Sequence, residues 1–367
     1  GIVRETVEFL QKAGKTCVRK GSRLDAEGRK KPGYVVDPEA CKYYFDRMVL
    51  SLGIDVLYYA GAAAVKMEGD RIRSLLVITG DGCFSASADL YIDATGNGRV
   101  AAAAGCRFEH GSPESGDPQP TSVGAVAAGY PWDFNGTDSE AEKTRYNQML
   151  EDHGIYSSGG QFSVIRLPDL STWLAGGNMQ YRVDVFDPFS VSRATQKGRM
   201  EAYESLEEQK KVPGNENVRL LETAAALGVR EGRRILGRYR ITEEDILSGA
   251  RFPDGICTVC FGVDVHKLHK DDVLDNSRGK RIRPYQLPFR ALVPLDCGNL
   301  LLAGRCLSGN FYPHASYRVM GNMMATGEAA GYAAALCLRE GLLPAEVDGR
   351  RVRQFMADRG YVLETEE

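Results

Sequence analysis

No run in this sequence approaches the roughly 18 apolar residues of a membrane span, and no basic segment followed by an apolar stretch marks a signal peptide. Neither a membrane partner nor export is therefore expected. Charge of one sign is lacking too: 46 Lys and Arg stand against 49 Asp and Glu, a net charge of −3, so nucleic acid is not an expected partner. Internal repeats and low-complexity segments are absent. Of nine cysteines only Cys257 and Cys260 share a CxxC spacing, without a redox-type βαβ context or a second ligand pair. Packing is their expected role. His266 and His269 have no nearby thiolates and no HExxH frame, so no metal is expected. A chain of 367 residues needs no disulfides to fold, and free cysteines suit a reducing, cytoplasmic setting.

What is present is an ordinary globular composition, 43% hydrophobic and 26% charged, with length enough for two cores. The chain starts at Gly1 rather than Met and enters directly into a helical pattern that Gly14 ends, so an upstream beginning is expected. Asp37 and Pro38 open a second helix closed by Gly53. The sequence IDVLYY (54–59) reads as a strand. Alternation from Ala63 to Gly96, broken at Gly69 and at Gly80 to Gly82, suggests a β-meander whose last strand is DLYID.

Residues 111–120 read as loop, and the less periodic middle reads as an inserted domain. RMEAYESLEEQKK (199–211) is expected to be a charged helix. NVRLLETAAALGVREGRRILGRY (217–239) is expected to be a long amphipathic one, placing Arg230 with Arg233 or Arg234 on one face. Thr242 and Asp245 predict a capping box. Further on, NLLLAGR (299–305) reads as a strand, CLSGNFYPHASYR (306–318) as a loop, and the Ala- and Gly-rich stretch to Gly341 as a close-packed helix.

Gly96, Gly98 and Ala101 have the GxGxxA spacing of a dinucleotide-binding turn, which also demands an acid about 20 residues on, at the end of a second strand. Glu109 comes too early and Asp117 sits in a loop, so the match is read as incidental. Three segments together nevertheless resemble the FAD-dependent oxidoreductases of the glutathione-reductase-like superfamily. YIDATGNGRVAAAAG (91–105) resembles the ATG return strand, NLLLAGRCLSG (299–309) a second return strand, and SYRVMGNMMATGEAAGYAAAL (316–336) the closing helix. QPTS (119–122), VREGRRILGRYRITEEDI (229–246) and PFRALVP (288–294) also look like family segments. The family's opening strand, GxGxxG turn, helix and second strand ending in Glu are not found here, so the expectation is a fragment or a unit supplied by another polypeptide.

The resemblance implies an α/β fold. An incomplete FAD/NAD(P)-binding Rossmann-like domain with a β-meander, residues 1–110 and 286–340, is interrupted by an α+β substrate domain, 111–285, and followed by an extension, 341–367. The implied activity is hydride transfer between a small organic substrate and flavin N5, with a separate electron acceptor of unknown identity; a homo-oligomer is left open. The alternative is a flavin-free binding or assembly subunit of the same fold. Thr95 and Gly96 are implied to lie on the adenosine side of FAD, with a plain tight turn as the other reading. Gly304 and Arg305 end a strand, where open α/β sheets place ligands. Arg305 then meets the pyrophosphate or makes a surface ion pair. The amides around Met320, Gly321, Asn322 and Met323 are implied to face the flavin C2 carbonyl. Arg230 and Arg233, with Arg234, either clamp a substrate carboxylate or form a solvated face. His314 and Arg318 lie in the loop next to the ring system, with His314 as the proton-transfer candidate. Cys306 nearby is expected to be a small buried residue.

Overall fold

The computed structural model describes residues 1–18, 33–271 and 282–363. Helix α1 (Ile2–Lys12) stops at Gly14, whose φ of +65° suits glycine, and leads into strand β1 (Thr16–Val18), antiparallel to β2 (Tyr34–Val36). The Asp37 carboxylate accepts the Ala40 N–H and opens α2 (Pro38–Ser51), as the Asp-Pro pair predicts. No strand forms over residues 54–59. Tyr59 there has a φ of +56° and is 99% exposed, so IDVLYY has no neighbouring strand to bury its alternating side chains.

Strands β3 (Gly61–Glu68), β4 (Arg71–Thr79) and β5 (Gly82–Ala86) form an antiparallel sheet in chain order. Strand β6 (Tyr91–Asp93) leaves that sheet. It pairs in parallel with the much later β15 (Leu300–Leu302), Leu300 opposite Tyr91. This is the one parallel ladder among the described strands. After β6 come the short helix α3 (Arg99–Ala103) and β7 (Phe108–Glu109).

The middle of the chain holds a four-stranded antiparallel sheet. Its strands are β8 (Ala125–Ala128), β9 (Ser163–Arg166), β10 (Thr172–Gly176) and β11 (Arg219–Thr223), in the order β11-β8-β10-β9. Helix α4 (Glu140–Glu151) and the 22-residue α5 (Pro188–Gln209) supply Leu150 and Leu206 to a core with Trp173 and Val218. The charged segment 199–211 is thus mostly the second half of α5, whose N-cap is Asp187.

The expected long helix over 217–239 is not formed. Strand β11 occupies its start, β12 (Arg234–Ile235) pairs antiparallel with β7, and irregular chain joins them. Glycines explain the departure. A Cβ on Gly228 would stand 2.9 Å from the Ser122 carbonyl oxygen, and one on Gly232 2.5 Å from Asn97 Oδ1, so both serve close backbone crossings.

The capping box at Thr242 and Asp245 opens α6 (Glu243–Ser248) as expected. Strands β13 (Gly255–Val259) and β14 (Tyr285–Pro288) pair antiparallel. After β15 the expected loop instead contains a helix, α7 (Phe311–Tyr317), ahead of α8 (Met320–Glu340), which Gly341 ends in the left-handed region. Ala325, Ala329, Ala330 and Ala333 of α8 are buried in the largest core with β13 and β14 residues Val259 and Leu287. Small side chains permit that approach. Helix α9 (Gly349–Asp358) adds Val352 and Met356 to the same core; the last four residues of the chain lie outside the described residues. The whole is a mixed α/β fold of several small sheets.

Candidate functional site

The turn after β6 is built around one buried carboxylate. Asp93 Oδ1 accepts the Thr95 N–H (2.9 Å) and hydroxyl (2.6 Å), while Oδ2 accepts the Ala101 N–H (2.9 Å) in α3. Thr95 Oγ1 in turn accepts the Arg99 N–H at 2.9 Å. Gly96 and Gly98 turn the chain at φ of +71° and +61°, which a Cβ would strain. The chain between them carries Asn97, and two remote arginines converge on it. Arg305, just beyond β15, donates to Asn97 Oδ1 at 2.7 Å, with its guanidinium 2.4 Å from where a Gly96 Cβ would stand. Arg233 donates to the Asn97 carbonyl at 3.3 Å and covers the Phe186 ring at 3.8 Å.

Among the described residues, neither arginine has a carboxylate within ion-pair distance, and the Nε of each is buried without a partner. Burial pushes both guanidinium pKa values down. Beside them lies a cleft of about 880 Å³, lined by Ala60 to Ala62, Thr95, Asn97, Arg99, Phe186 and Arg233, with no acidic residue in its wall.

A second cluster lies deeper. Arg318, at the end of α7, donates to the Asp264 carbonyl (2.8 Å) and carboxylate (3.1 Å) and to Gln119 Oε1 (3.4 Å). Arg230 donates to the Pro120 carbonyl at 2.8 Å. Burial, and then the charge of Arg318, bring the Arg230 pKa down to about 10. Arg234 pairs with the buried Glu231, whose carboxylate also accepts the Gly111 and Gln119 N–H groups at 3.0 and 3.1 Å. His314 sits on α7 rather than in a loop, wholly buried, with both ring nitrogens unpartnered. Burial first, then the charges of Arg234, Arg318 and Arg305, hold its pKa well below the usual histidine range. The ring is therefore neutral at pH 7.

The sequence over residues 1–356 matches the profile of the family described as FAD dependent oxidoreductase. The chain belongs to that family. No curated protein matches it. Among solved structures it is remotely similar to p-nitrophenol 4-monooxygenase from Pseudomonas putida, at 10% identity and a TM-score of 0.47 over 98% of this chain and 72% of that one. A geranylgeranyl bacteriochlorophyll reductase-like protein from Thermoplasma acidophilum gives 10% identity and a TM-score of 0.43 over 94% and 73%. Anhydrotetracycline hydroxylase from Streptomyces rimosus gives 11% and 0.45 over 98% and 55%.

In this family member Arg230 and Arg233 do not share a helical face, as the helix over 217–239 implied. The irregular chain sends Arg230 toward Arg318 and Arg233 toward Asn97. Gly304, at a φ of +84°, donates its N–H to Thr326 Oγ1 at 2.9 Å, tying the end of β15 to α8. Helix α8 begins without a side-chain cap; Met320 is exposed, and the nearest group to a Gly321 Cβ would be Val3 of α1 at 4.0 Å. Asn322 donates to the Tyr317 carbonyl at 3.2 Å, and Met323 packs on the core. Asn97, Arg99, Gln119, Glu231 and Asp264 were not singled out by sequence. Of these, Asn97 stands between two glycines, and Gln119 and Glu231 lie in the segments 119–122 and 229–246 that resemble the family.

Cys306 is buried and its thiol is pushed up by burial, as a packing residue should be. Burial likewise raises Cys257 to about 12. His266 lies 3.6 Å from Asp264 and His269 3.1 Å from Asp117. Among the described residues no group of three or more His, Cys, Asp or Glu could hold a metal, and no helix is long and apolar enough to cross a membrane.

Proposed function

We propose that the protein is an oxidoreductase that holds FAD across the turn at Thr95 and Gly96 and acts on a small organic substrate. The observation that carries this reading is the cleft beside that turn, whose wall holds Arg99 and Arg233 and no acid, with Arg305 adjoining at Asn97. Buried guanidinium nitrogens without acceptors suit a diphosphate, because a charge-assisted hydrogen bond is roughly twice as strong as a neutral one. The volume of about 880 Å³ is that of a cofactor pocket.

In this reading residues 1–110 and 286–340 hold the cofactor and 111–285 face the substrate; the β6–β15 pairing, which joins the first two segments, supports that division. Bound flavin supplies hydride transfer at N5 and exchange with a separate electron acceptor. Thr95 and Gly96 line the adenosine side, Gly304 and Arg305 the diphosphate, and the uncapped start of α8 from Met320 to Met323 offers amides to the ring carbonyl. Neutral His314 carries one N–H and one bare nitrogen, which makes it the residue assigned to hold a proton for the substrate.

Titration of the protein with FAD, followed by flavin fluorescence, tests the reading. Saturable binding is expected, weakened about tenfold in Arg233→Met, the loss of one charge-assisted contact. Absence of binding, or equal affinity in the variant, would remove it.

A further inference from the structure

Three segments far apart in sequence bring a set of unmatched hydrogen-bond donors together at the inner cluster. Gln119 is 2% exposed, and its Oε1 accepts from Arg318, 199 positions later. That bond fixes the amide orientation, since the flipped form would oppose two donors. Gln119 Nε2 is then a buried donor without an acceptor, as is Arg318 Nε. His314, also wholly buried, adds a third unpartnered side chain.

Charge sharpens the picture. Arg234 is matched by Glu231 and Arg318 by Asp264, whereas Arg230 has a carbonyl oxygen and, among the described residues, no carboxylate within ion-pair distance. The cluster is thus one negative charge short. Buried charges are stable when paired, and a buried donor left unsatisfied costs free energy. One missing charge and several donors call for a monoanion with two acceptor oxygens. A neutral group would leave Arg230 unpaired.

We propose that Arg230, Arg318 and Gln119 form a docking point for a carboxylate of the substrate. The assignment rests on the oxidoreductase reading for the word substrate, but the site itself stands on these residues alone. Guanidinium forks and an amide N–H suit a planar carboxylate, which accepts two parallel bonds. The same balance separates the site from the cleft at Asn97, where Arg233 and Arg305 serve the cofactor.

Isothermal titration of the full chain with sodium benzoate and sodium succinate, with methyl benzoate as the neutral control, tests the proposal. Binding of at least one carboxylate and none of the ester is expected. Arg230→Met should weaken carboxylate binding about 10- to 100-fold, the range for lost hydrogen bonds to a charged group. FAD affinity should stay within error, and Arg233→Met should show the reverse pattern. Gln119→Met, which keeps the shape and removes the donor, gives a second reading should Arg230→Met fail to fold; a severalfold weakening is expected. Failure of both carboxylates to bind, equal binding of the ester, or a loss of FAD affinity in Arg230→Met matching its loss of carboxylate affinity would overturn the proposal. Carboxylate binding without FAD binding would leave the site standing and remove the oxidoreductase reading instead.

Discussion

Asp93 accepts three hydrogen bonds while fully buried, and so decides the shape of the turn that carries Thr95, Gly96 and Asn97. Asp93→Asn would keep its size but set an NH₂ group against the N–H of either Thr95 or Ala101. The expected cost is about 1–3 kcal/mol, the penalty of a buried donor left unsatisfied, measured as a lower midpoint in urea unfolding. Unchanged stability would mean that the turn is held by its glycines alone. Sequence placed Asp93 only at the end of the strand DLYID, ahead of the glycine turn. Both oxygens serve the turn and the helix after it, a division of labour that spacing cannot reveal.

At the scale of elements, the segment 229–234 matters through its backbone as much as through its arginines. A Cβ on Gly232 would meet Asn97 Oδ1 at 2.5 Å and Asn97 Cα at 2.8 Å, and the backbone there cannot yield cheaply. Gly232→Ala is therefore expected to lower stability by about 1–3 kcal/mol through overpacking. It should also weaken FAD binding, because Asn97 is the shared partner of Arg305 and Arg233. Fluorescence titration beside urea unfolding separates the two effects; loss of stability with full FAD affinity would show that Asn97 is not coupled to the cleft. The helix expected here followed from apolar residues near a 3.6 period, a pattern that three glycines in ten residues should have overruled. Where caps were explicit, at Asp37 and Thr242, the helices start as read.

Over the whole molecule, burial of histidines among arginines sets an acid limit. His110, buried beside Arg234, is lowered to about 4, and His314 lies well below the usual value, so both folded-state pKa values are depressed. Their contribution is fully present above the unfolded value near 6.5 and is lost as pH falls, because the unfolded chain takes up protons that the folded chain refuses. Each histidine that stays neutral removes about 1.4 kcal/mol per pH unit below that point, until its folded pKa is reached. Urea unfolding between pH 7 and about 4.5 should show falling stability, with a shallower slope in His110→Asn; a flat profile would contradict the burial argument. Family membership, the strand before the glycine turn, the small-residue helix α8 and the helix caps were determined by sequence, since each depends on local conformation or on packing by small side chains. Which arginine meets which partner was decided only by tertiary structure. Arg318 and Gln119 are 199 positions apart, and periodicity records the side of its own element that a residue faces, not the distant charge it will find there.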